Sequence, residues 1–200
     1  MAGVNIQISE QGLKRANQIL HSLQADTSKV TARVVNRVMD GMRTDAVSET
    51  SQKYYVTAGQ VRKSLTFKKA NAGSLTGEMI SRSKRHLLGD YKISPTSPSK
   101  GKNTIIKAAV KKEGGFKPLG KGEKKTAFLV KRAGGKFFPF WRLYYDSSAR
   151  KWGGIRAYIS PSMPQIIKNE ETVKVMQEKA EERFEKRLSH EIMRLVGATA

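Results

Sequence analysis

Apolar residues recur at helical spacing near both ends of this chain, and this pattern restricts its fold more than any other feature. Near the N-terminus the stripe contains Val30, Val34, Val38, Met42 and Ala46. Near the C-terminus a second stripe contains Val173, Met176, Ala180, Phe184, Leu188, Ile192 and Leu195. Such spacing places the side chains on one face of a helix. We predict two long amphipathic helices, around residues 28–52 and 170–197.

The region between the stripes, from Leu65 to about Tyr158, has a different pattern. Short runs rich in β-branched and aromatic residues alternate with the glycine-containing turns NAGS, EGG, AGG and WGG. Glycine supplies the positive φ that tight turns need. We therefore predict an α+β fold, in which a mostly antiparallel β-sheet, formed as a meander largely from residues 65–160, is packed by long N-terminal and C-terminal helices.

The N-terminal 26 residues predict two further elements. The run VNIQIS, residues 4–9, alternates apolar and polar residues and predicts a short strand. From about Gly12 the pattern is helical, with a break at QADTSK, where Asp26, Thr27 and Ser28 provide capping side chains for a new helix.

A chain of 200 residues is long enough to bury one sizeable core. We predict a single domain over residues 1–200, with an exposed Lys/Gly-rich loop or arm near residues 94–125. The start of that stretch, SPTSPSKGKN, contains prolines, serines and lysines and has no apolar residue that could anchor it in a core.

The chain is strongly basic, with 38 Lys+Arg against 17 Asp+Glu and a formal net charge of +21. Such a charge favours polyanions or acidic protein surfaces as partners. Candidate contact residues are the nine lysines Lys100, Lys102, Lys107, Lys111, Lys112, Lys117, Lys121, Lys124 and Lys125. Lysine favours diffuse electrostatic contact over the reading of bases. The alternative is a solvated sheet face with its loops.

The aromatic run FFPFWRLYY predicts a strand with Pro139 in its first half. Because proline cannot donate to a β-ladder, we predict an edge strand. Its aromatic residues are candidates for core packing and for a subunit interface: Phe137, Phe138, Phe140, Trp141, Tyr144 and Tyr145. Stacking on single-stranded nucleic acid is the alternative.

No catalytic, cofactor-binding or metal-binding pattern is found in the sequence. There is no cysteine, and the three histidines are isolated from one another. GFKPLGK resembles the start of a phosphate-binding loop, but Gly122 replaces the required Ser or Thr. A nuclease would need metal-binding carboxylates, which are scarce in the β-rich region. We therefore predict no enzyme activity and no cofactor.

No run of 18 apolar residues is present, and the N-terminus lacks the basic and apolar regions of a signal peptide. We expect a soluble protein, made in a cytoplasm, without membrane contact.

Several stretches together resemble the prophage minor tail protein Z family. The helical part contains an Asn-Arg pair, Asn36 and Arg37, and a Glu-Thr pair, Glu49 and Thr50, followed by YVTAGQVRKSL. The stretches LLGDYKISP, IIKAAVKK and KKTAFLVKRAGG are similar to strands of the family. Together these pieces cover most of residues 30–170.

The corner between the last strand and the C-terminal helix also resembles the family. SPSMPQII is similar to its Gly-Pro-Ser-x-Pro-Gln motif, with Pro161, Ser162, Pro164 and Gln165 at the matching positions and Ser160 in place of glycine. Proline fixes φ, so a rigid corner is expected. The hairpin WRLYYDSSARKWGGIRAY is longer and more aromatic than the family's compact hairpin.

The resemblance implies a structural virion protein without enzyme activity: a tail-completion or minor tail subunit at the head-proximal end of a long phage tail, joining the tail to the neck of the head. The implied partners are further copies in a ring, expected to be a hexamer, the tail terminator or tail tube proteins, head-side neck proteins and the DNA end in the channel. The implied location is the virion tail or neck, with assembly in the host cytoplasm.

The alternative, which the charge alone supports, is a basic nucleic-acid-binding protein that contacts DNA or RNA backbones. The two long apolar stripes argue against it, because a small nucleic-acid-binding domain would not need them.

Overall fold

A computed structural model of the chain describes residues 14–15, 18–19, 27–98, 104–120, 127–149 and 151–198, without the side chains of residues 27, 144–146, 151–152 and 198. Its helices are α1 (Thr27–Lys53), α2 (Ala58–Ser64), α3 (Met163–Ile167) and α4 (Glu170–Ala198), with a 3₁₀ turn at Leu88–Asp90. Its strands are β1 (Leu65–Lys68), β2 (Glu78–Ser81), β3 (Arg85–Leu87), β4 (Lys92–Ser94), β5 (Lys107–Ala109), β6 (Lys117–Pro118), β7 (Phe128–Lys131), β8 (Phe137–Asp146), β9 (Lys151–Ala157) and β10 (Ile159–Ser162). The predicted α+β class is confirmed.

The two predicted long helices are present, and they pack antiparallel. Arg33 near the start of α1 lies 3.4 Å from Glu191 near the end of α4, and Glu49 near the end of α1 bonds Lys179 in the first half of α4. The facing apolar stripes are buried: Val30, Val34, Val38, Met42 and Ala46 on α1, with Met176, Ala180, Phe184 and Leu188 on α4. Burial of these stripes is the main stabilisation of the pair.

α4 begins at a capping asparagine. The backbone N–H of Glu171 donates to Asn169 Oδ1 at 3.2 Å, and the N–H of Val173 donates to the carbonyl oxygen of Asn169 at 2.9 Å. Glu170 and Glu171 occupy the first turn, where the helix dipole favours negative charge.

The chain divides into two compact units, each made of separate segments. The helical unit consists of Met1–Thr50, Ala58–Ser83 and Met163–Ala200, and the sheet unit consists of Ser51–Thr57 and Lys84–Ser162. The interpretation of residues 1–200 as one domain stays a prediction.

The helical unit also contains α2, α3 and the hairpin of β1 with β2. β1 and β2 pair antiparallel from Leu65 opposite Ser81 to Lys68 opposite Glu78. α3 packs against α2 and β2. Their apolar residues complete the core of this unit: Val61, Leu65, Met79, Met163, Ile166 and Ile167.

The sheet unit contains two antiparallel three-stranded sheets and one antiparallel strand pair. The sheet orders are β4-β5-β6 and β7-β8-β9, and the pair is β3 with β10. A buried cluster of Leu88, Ile93 and Ala108 lies in this unit, and the partly buried residues Val110, Leu119, Leu129 and Tyr158 pack against it.

The antiparallel strands do not form the single meander that the sequence pattern predicts. In the part of the chain that the structure describes they form four small sheets. β3 pairs with β10, and Ser160 Oγ donates to the carbonyl oxygen of His86, 74 residues away. Eight of the ten described strands have only two to four residues and bury little surface each, so several local sheets and one non-local pair replace a continuous sheet.

The predicted AGG turn does connect two paired strands. Gly134 and Gly135 have φ of 92° and 81° in the loop from β7 to β8. The N–H of Arg132 donates to the carbonyl oxygen of Lys136, and the N–H of Gly135 donates to that of Arg132, each at 3.0 Å. The positive φ values explain why glycine occupies both positions.

The remaining N-terminal predictions are largely untested. The predicted strand at residues 4–9 and the capping residue Asp26 lie outside the described residues. Of the predicted helix from residue 12, only residues 14–15 and 18–19 are described, and they are helical.

Candidate functional site

Two charged pairs with buried carboxylates join α1 to α4 inside the helical unit. Asp45 and Glu49 lie one turn apart on α1 and are both buried. Both terminal nitrogens of Arg183 donate to the carboxylate of Asp45, and Lys179 Nζ donates to Glu49 Oε1 at 2.7 Å. The hydrogen bond to Glu49 raises the pKa of Lys179, and the one to Asp45 raises the pKa of Arg183. Charge-assisted bonds of this kind fix the register of the two helices.

A glycine on α1 makes room for the arginine of this pair. A Cβ atom at Gly41 would lie 2.7 Å from Nη1 of Arg183 and 2.9 Å from its Cδ and Cζ. The arginine side chain therefore passes over Gly41 to reach Asp45 in the next turn.

Sequence reasoning recognised Glu49 as a motif residue but missed its role and missed Asp45, Lys179 and Arg183. The sequence does contain a pattern that indicates these pairs. Two acids spaced by four residues flank the buried position Ala46, and two bases with the same spacing flank a buried position of α4. Matched i, i+4 charges beside apolar stripes indicate cross-helix pairs.

The motif residue Asn36 holds a backbone segment of the helical unit. Its Nδ2 donates to the carbonyl oxygen of Ala70 at 2.9 Å, and its Oδ1 accepts from the N–H of Ala70 at 2.8 Å. The side chain thus satisfies both polar groups of a buried residue. Its motif neighbour Arg37 is exposed.

The motif residue Thr50 is fully buried. Its hydroxyl has no hydrogen-bond partner among the described residues, and the same holds for the buried hydroxyls of Thr31 and Thr172.

The corner motif is held by backbone acceptors. Tyr91 Oη and Ser160 Oγ lie 3.3 and 3.2 Å from the carbonyl oxygen of Pro161, so either hydroxyl can donate to it. Burial raises the pKa of Tyr91. Ser160 is buried in this arrangement. Ser162 is half-buried.

The second half of the motif starts α3. The N–H of Met163 donates to Ser83 Oγ at 3.1 Å, and the carbonyl oxygen of Pro164 accepts from the N–H of Lys168 at 3.0 Å. Pro164 is buried and Gln165 is exposed. β10 is therefore followed directly by α3, and the rigid corner stays a prediction.

Four of the nine candidate lysines are described, and all four are exposed: Lys107, Lys111, Lys112 and Lys117. The other five, Lys100, Lys102, Lys121, Lys124 and Lys125, lie outside the described residues. Lys107 is paired with Ser94 and Pro118, whereas Lys117 is paired with Ala108. Because successive residues point to opposite faces, Lys107 and Lys117 project from opposite sides of the sheet. The described lysines do not form one patch.

The aromatic strand β8 is central, so the prediction of an edge strand is wrong. β8 lies between β7 and β9. Pro139 is tolerated there because its carbonyl oxygen accepts from the N–H of Tyr158 at 3.0 Å, while the carbonyl oxygen of Tyr158 accepts from Leu88 N–H at 2.8 Å. Leu88 thus replaces the donor that proline lacks.

The candidate interface aromatics of β8 differ in burial. Phe138 is buried, and its ring packs so closely on Gly89 that a Cβ there would lie 2.4 Å from Phe138 Cδ1. Phe137, Phe140 and Trp141 are half-buried, and the side chains of Tyr144 and Tyr145 lie outside the described residues. Phe138 is therefore a core residue, and a role of the others at an interface stays a prediction.

Several basic side chains of the sheet unit lie over aromatic rings. Arg132 and Lys136 lie 5.6 Å from the ring centre of Phe138, and Arg142 lies 5.0 Å from that of Phe128. Lys92 lies over Tyr55 and Lys111 over Tyr54 in the same way. Such contacts hold a cation in place without neutralising it.

The two units differ strongly in charge. The sheet unit contains 20 basic and 4 acidic residues, a net of +16, and the helical unit contains 18 and 13, a net of +5. The positive charge is thus concentrated in the sheet unit. The sequence showed the excess charge but not that these segments fold into one unit.

Among the described residues, no group of three or more His, Cys, Asp or Glu side chains is arranged to hold a metal ion. Within the same residues, no helix has both the length and the apolar character needed to cross a membrane.

Comparison with known families identifies the chain. The model of the family described as prophage minor tail protein Z (GPZ) matches residues 11–196. The chain belongs to this family. Comparisons with curated proteins and with solved structures gave no match.

Membership confirms the resemblance seen in the sequence and sets the biological context. Minor tail protein Z is a structural phage tail protein and not an enzyme. The chain is therefore a component of a phage tail, with other tail proteins as its partners.

Proposed function

We propose that this minor tail protein is a tail-completion subunit at the head-proximal end of the phage tail, where it joins the tail to the neck of the head. The family match over residues 11–196 carries the proposal, because it covers both structural units. The contrast between these units supports it. A protein that joins two different structures needs two different surfaces, and here a unit of net +5 is combined with one of net +16.

The proposed partners follow from this position. Several copies surround the tail axis, as a hexamer that matches a sixfold tail. They contact the tail terminator or tail tube proteins on one side and head-side neck proteins on the other, with the DNA end in the channel. A closed ring needs a contact between two different surfaces of neighbouring copies.

The lysines of residues 100–125 belong to the head-side contact in this proposal. Those that are described are exposed, and Lys107 and Lys117 project from opposite faces of their sheet. This arrangement favours many weak contacts over one specific site. We propose an acidic neck-protein surface as their partner, and the DNA end is the competing partner.

The test uses a phage from which the gene is deleted and in which the full chain, with a short epitope, is supplied in trans. We expect heads and tails to accumulate unjoined without the protein and to join when it is supplied. Immunogold labelling is expected at the head-proximal end of joined particles.

Normal joining in the deletion phage, or label at the distal tip, contradicts the proposal. A protein that is absent from particles but binds duplex DNA with a steep salt dependence supports the nucleic-acid alternative instead.

A further inference from the structure

The strand β7 has backbone groups without a partner on its outer side. It lies at the edge of the sheet β7-β8-β9 and, among the described residues, pairs only with β8. The N–H of Arg132 donates to the carbonyl oxygen of Lys136, and hydrogen-bonded pairs alternate along an antiparallel ladder. The N–H and C=O groups of Leu129 and Lys131 therefore point away from β8. Such a row of groups is a site at which a further strand can add.

The edge of β7 has few of the features that usually prevent such addition. Proteins commonly protect an edge strand with charged residues, proline or a bulge. Residues 127–130 contain no proline and no charged residue, and their register with β8 is regular. The opposite edge of the same sheet is different, because Gly154 in β9 has a φ of 54° that interrupts the extended backbone. Of these two edges, β7 is the one suited to a further strand.

The side chains of β7 indicate which kind of strand would fit. Leu129 packs against the buried cluster of the sheet unit but is itself only partly buried. Phe128 and Val130 lie on the other face of the sheet, where the exposed Arg142 lies over the Phe128 ring. An added strand should therefore place apolar side chains beside Leu129 and polar side chains on the face of Arg142.

The N-terminal run VNIQIS, residues 4–9, has this pattern and lies outside the described residues. Its apolar residues Val4, Ile6 and Ile8 alternate with the polar residues Asn5, Gln7 and Ser9. At about 3.3 Å per residue, the run spans about 20 Å and residues 127–131 span about 16 Å. The first ten residues contain no lysine or arginine, so no basic side chain opposes their approach to a unit of net charge +16.

We propose that residues 4–9 of one copy add as an antiparallel strand to the edge of β7 in a second copy of this chain, with Ile6 opposite Leu129. Opposite residues of an antiparallel pair point to the same face of a sheet. Val4 and Ile8 then extend the face of Leu129, and the three apolar side chains cover the part of Leu129 that the sheet unit leaves exposed. Addition of a strand to a free sheet edge is a common mode of protein recognition.

The same register places the polar residues of the run on the outer face of the sheet. Asn5 lies opposite Val130, and Gln7 lies opposite Phe128. A slip of one residue would turn the apolar side chains to the outer face and the polar ones to the core. The alternation of the run therefore selects between these two alignments.

The contact joins unlike parts of neighbouring copies. The N-terminal run belongs to the helical unit and β7 belongs to the sheet unit. Each copy thus offers one strand and one edge, and successive contacts of this kind can close into a ring. The inference rests on the proposed function in that it supplies a subunit contact for the proposed ring. It does not depend on which end of the tail the ring occupies.

Engineered cysteines test the contact, because the chain has no cysteine of its own. Full-length chains with Asn5→Cys and with Val130→Cys are purified separately, mixed and oxidised. Opposite residues of an antiparallel pair lie close enough for a disulfide. The control mixes Asn5→Cys with Lys112→Cys, which places the thiol at an exposed position outside β7. We expect the disulfide-linked heterodimer to form at least about tenfold faster with Val130→Cys than with Lys112→Cys.

Two substitutions at neighbouring positions test the predicted faces. Ile6→Asp and Gln7→Asp each add one negative charge, but only the first places it beside Leu129. Self-association of the purified full chain is measured by sedimentation at several concentrations. We expect Ile6→Asp to raise the dissociation constant at least about tenfold and Gln7→Asp to stay within about threefold of wild type.

A chain with both Asn5→Cys and Val130→Cys distinguishes a neighbouring copy from the same chain, and we expect disulfide-linked oligomers. Four outcomes overturn the inference: disulfides that form only within single chains, heterodimers that form no faster than in the control, equal effects of Ile6→Asp and Gln7→Asp, or a wild-type chain that stays monomeric at its solubility limit. None of these results bears on whether the protein is found at the head-proximal end of tails, which the labelling experiment decides separately.

Discussion

The Asp45–Arg183 pair gives a quantitative test of how α1 and α4 are held in register. The Asp45 side chain is 9% exposed and the Arg183 side chain is 36% exposed. Replacing Arg183 by Met keeps the aliphatic stem but leaves a buried carboxylate without its bidentate partner. Breaking a fully buried pair costs about 3–5 kcal/mol. Because Arg183 is partly exposed and Lys179 also interacts with Asp45, we expect a loss of about 2 kcal/mol.

A loss of this size should be visible in thermal unfolding followed by far-ultraviolet circular dichroism. For a chain of this length, 2 kcal/mol corresponds to a fall of about 4–8 °C in the melting temperature. The double variant Asp45→Leu with Arg183→Met removes both charges, and its stability should recover to within about 1 kcal/mol of wild type. Urea titration measures the same differences independently.

The control is an exposed pair on the same helix. Lys186 and Glu182 are 73% and 64% exposed, so Lys186→Met should leave the free energy of unfolding close to that of wild type. The reasoning is refuted if Arg183→Met costs no more than Lys186→Met, or if the double variant is no more stable than Arg183→Met alone.

Three further substitutions test other contacts. Gly89→Ala should lower the free energy of unfolding in urea by about 1–3 kcal/mol, because its Cβ would overlap the aromatic ring that packs on it. Gly59→Ala is the control, since a Cβ there meets nothing within 4 Å, and it should not destabilise the protein. Equal losses in the two variants would refute the packing argument. Asn36→Ala removes two bonds to the buried backbone of Ala70 and should cost about 2 kcal/mol in the same assay; a loss under about 0.5 kcal/mol would contradict this role. Burial raises the pKa of Tyr91 above its ordinary 10.0. The stability that the neutral, buried Tyr91 contributes is therefore fully present below about pH 10 and is lost as the pH rises through the raised pKa. When tyrosinate formation is followed by absorbance, Tyr91→Phe should therefore show one fewer tyrosine that ionises above the ordinary pKa. A titration curve that is unchanged at high pH would contradict the raised pKa of Tyr91.

The helices could be predicted from the sequence because their burial leaves a local trace. Val34, Val38 and Met42 recur every four residues, and the helix extends from Thr27 to Lys53, against a prediction of 28–52. The same pattern predicted a second helix at residues 170–197, and α4 extends from Glu170 to Ala198. When one face of a helix is buried along its whole length, apolar residues recur at helical spacing in the sequence.

The pairing of strands could not be predicted in the same way. β3, Arg85–Leu87, is outside the β-rich runs that the pattern predicts as strands, and nothing local indicates that His86 and Ser160 meet. Pro139 shows the same limit. Its missing N–H indicated an edge strand, but Leu88, which is distant in sequence, supplies a replacement donor to Tyr158. Non-local partners overturn an inference that rests on one residue type.

The charge distribution explains why the composition alone also suggested a nucleic-acid-binding protein as an alternative to a tail protein. In the helical unit, cations such as Arg183 and Lys179 are paired with carboxylates across the helices. In the sheet unit, cations such as Arg132 and Arg142 lie over aromatic rings, which position them without cancelling their charge. The net charge of +16 on that unit therefore gives it a positive electrostatic potential. Repulsion among its cations opposes folding of the unit.

This difference gives salt opposite effects on folding and on assembly. Screening relieves the repulsion inside the sheet unit, so added salt should stabilise its fold, while the same screening weakens its attraction to an acidic partner. An acidic partner that docks on the unit relieves the repulsion as well as forming contacts, so docking should stabilise the fold by linkage. An excess of positive charge that would be costly in a free monomer is thus compatible with a protein whose working state is an assembly within the phage tail.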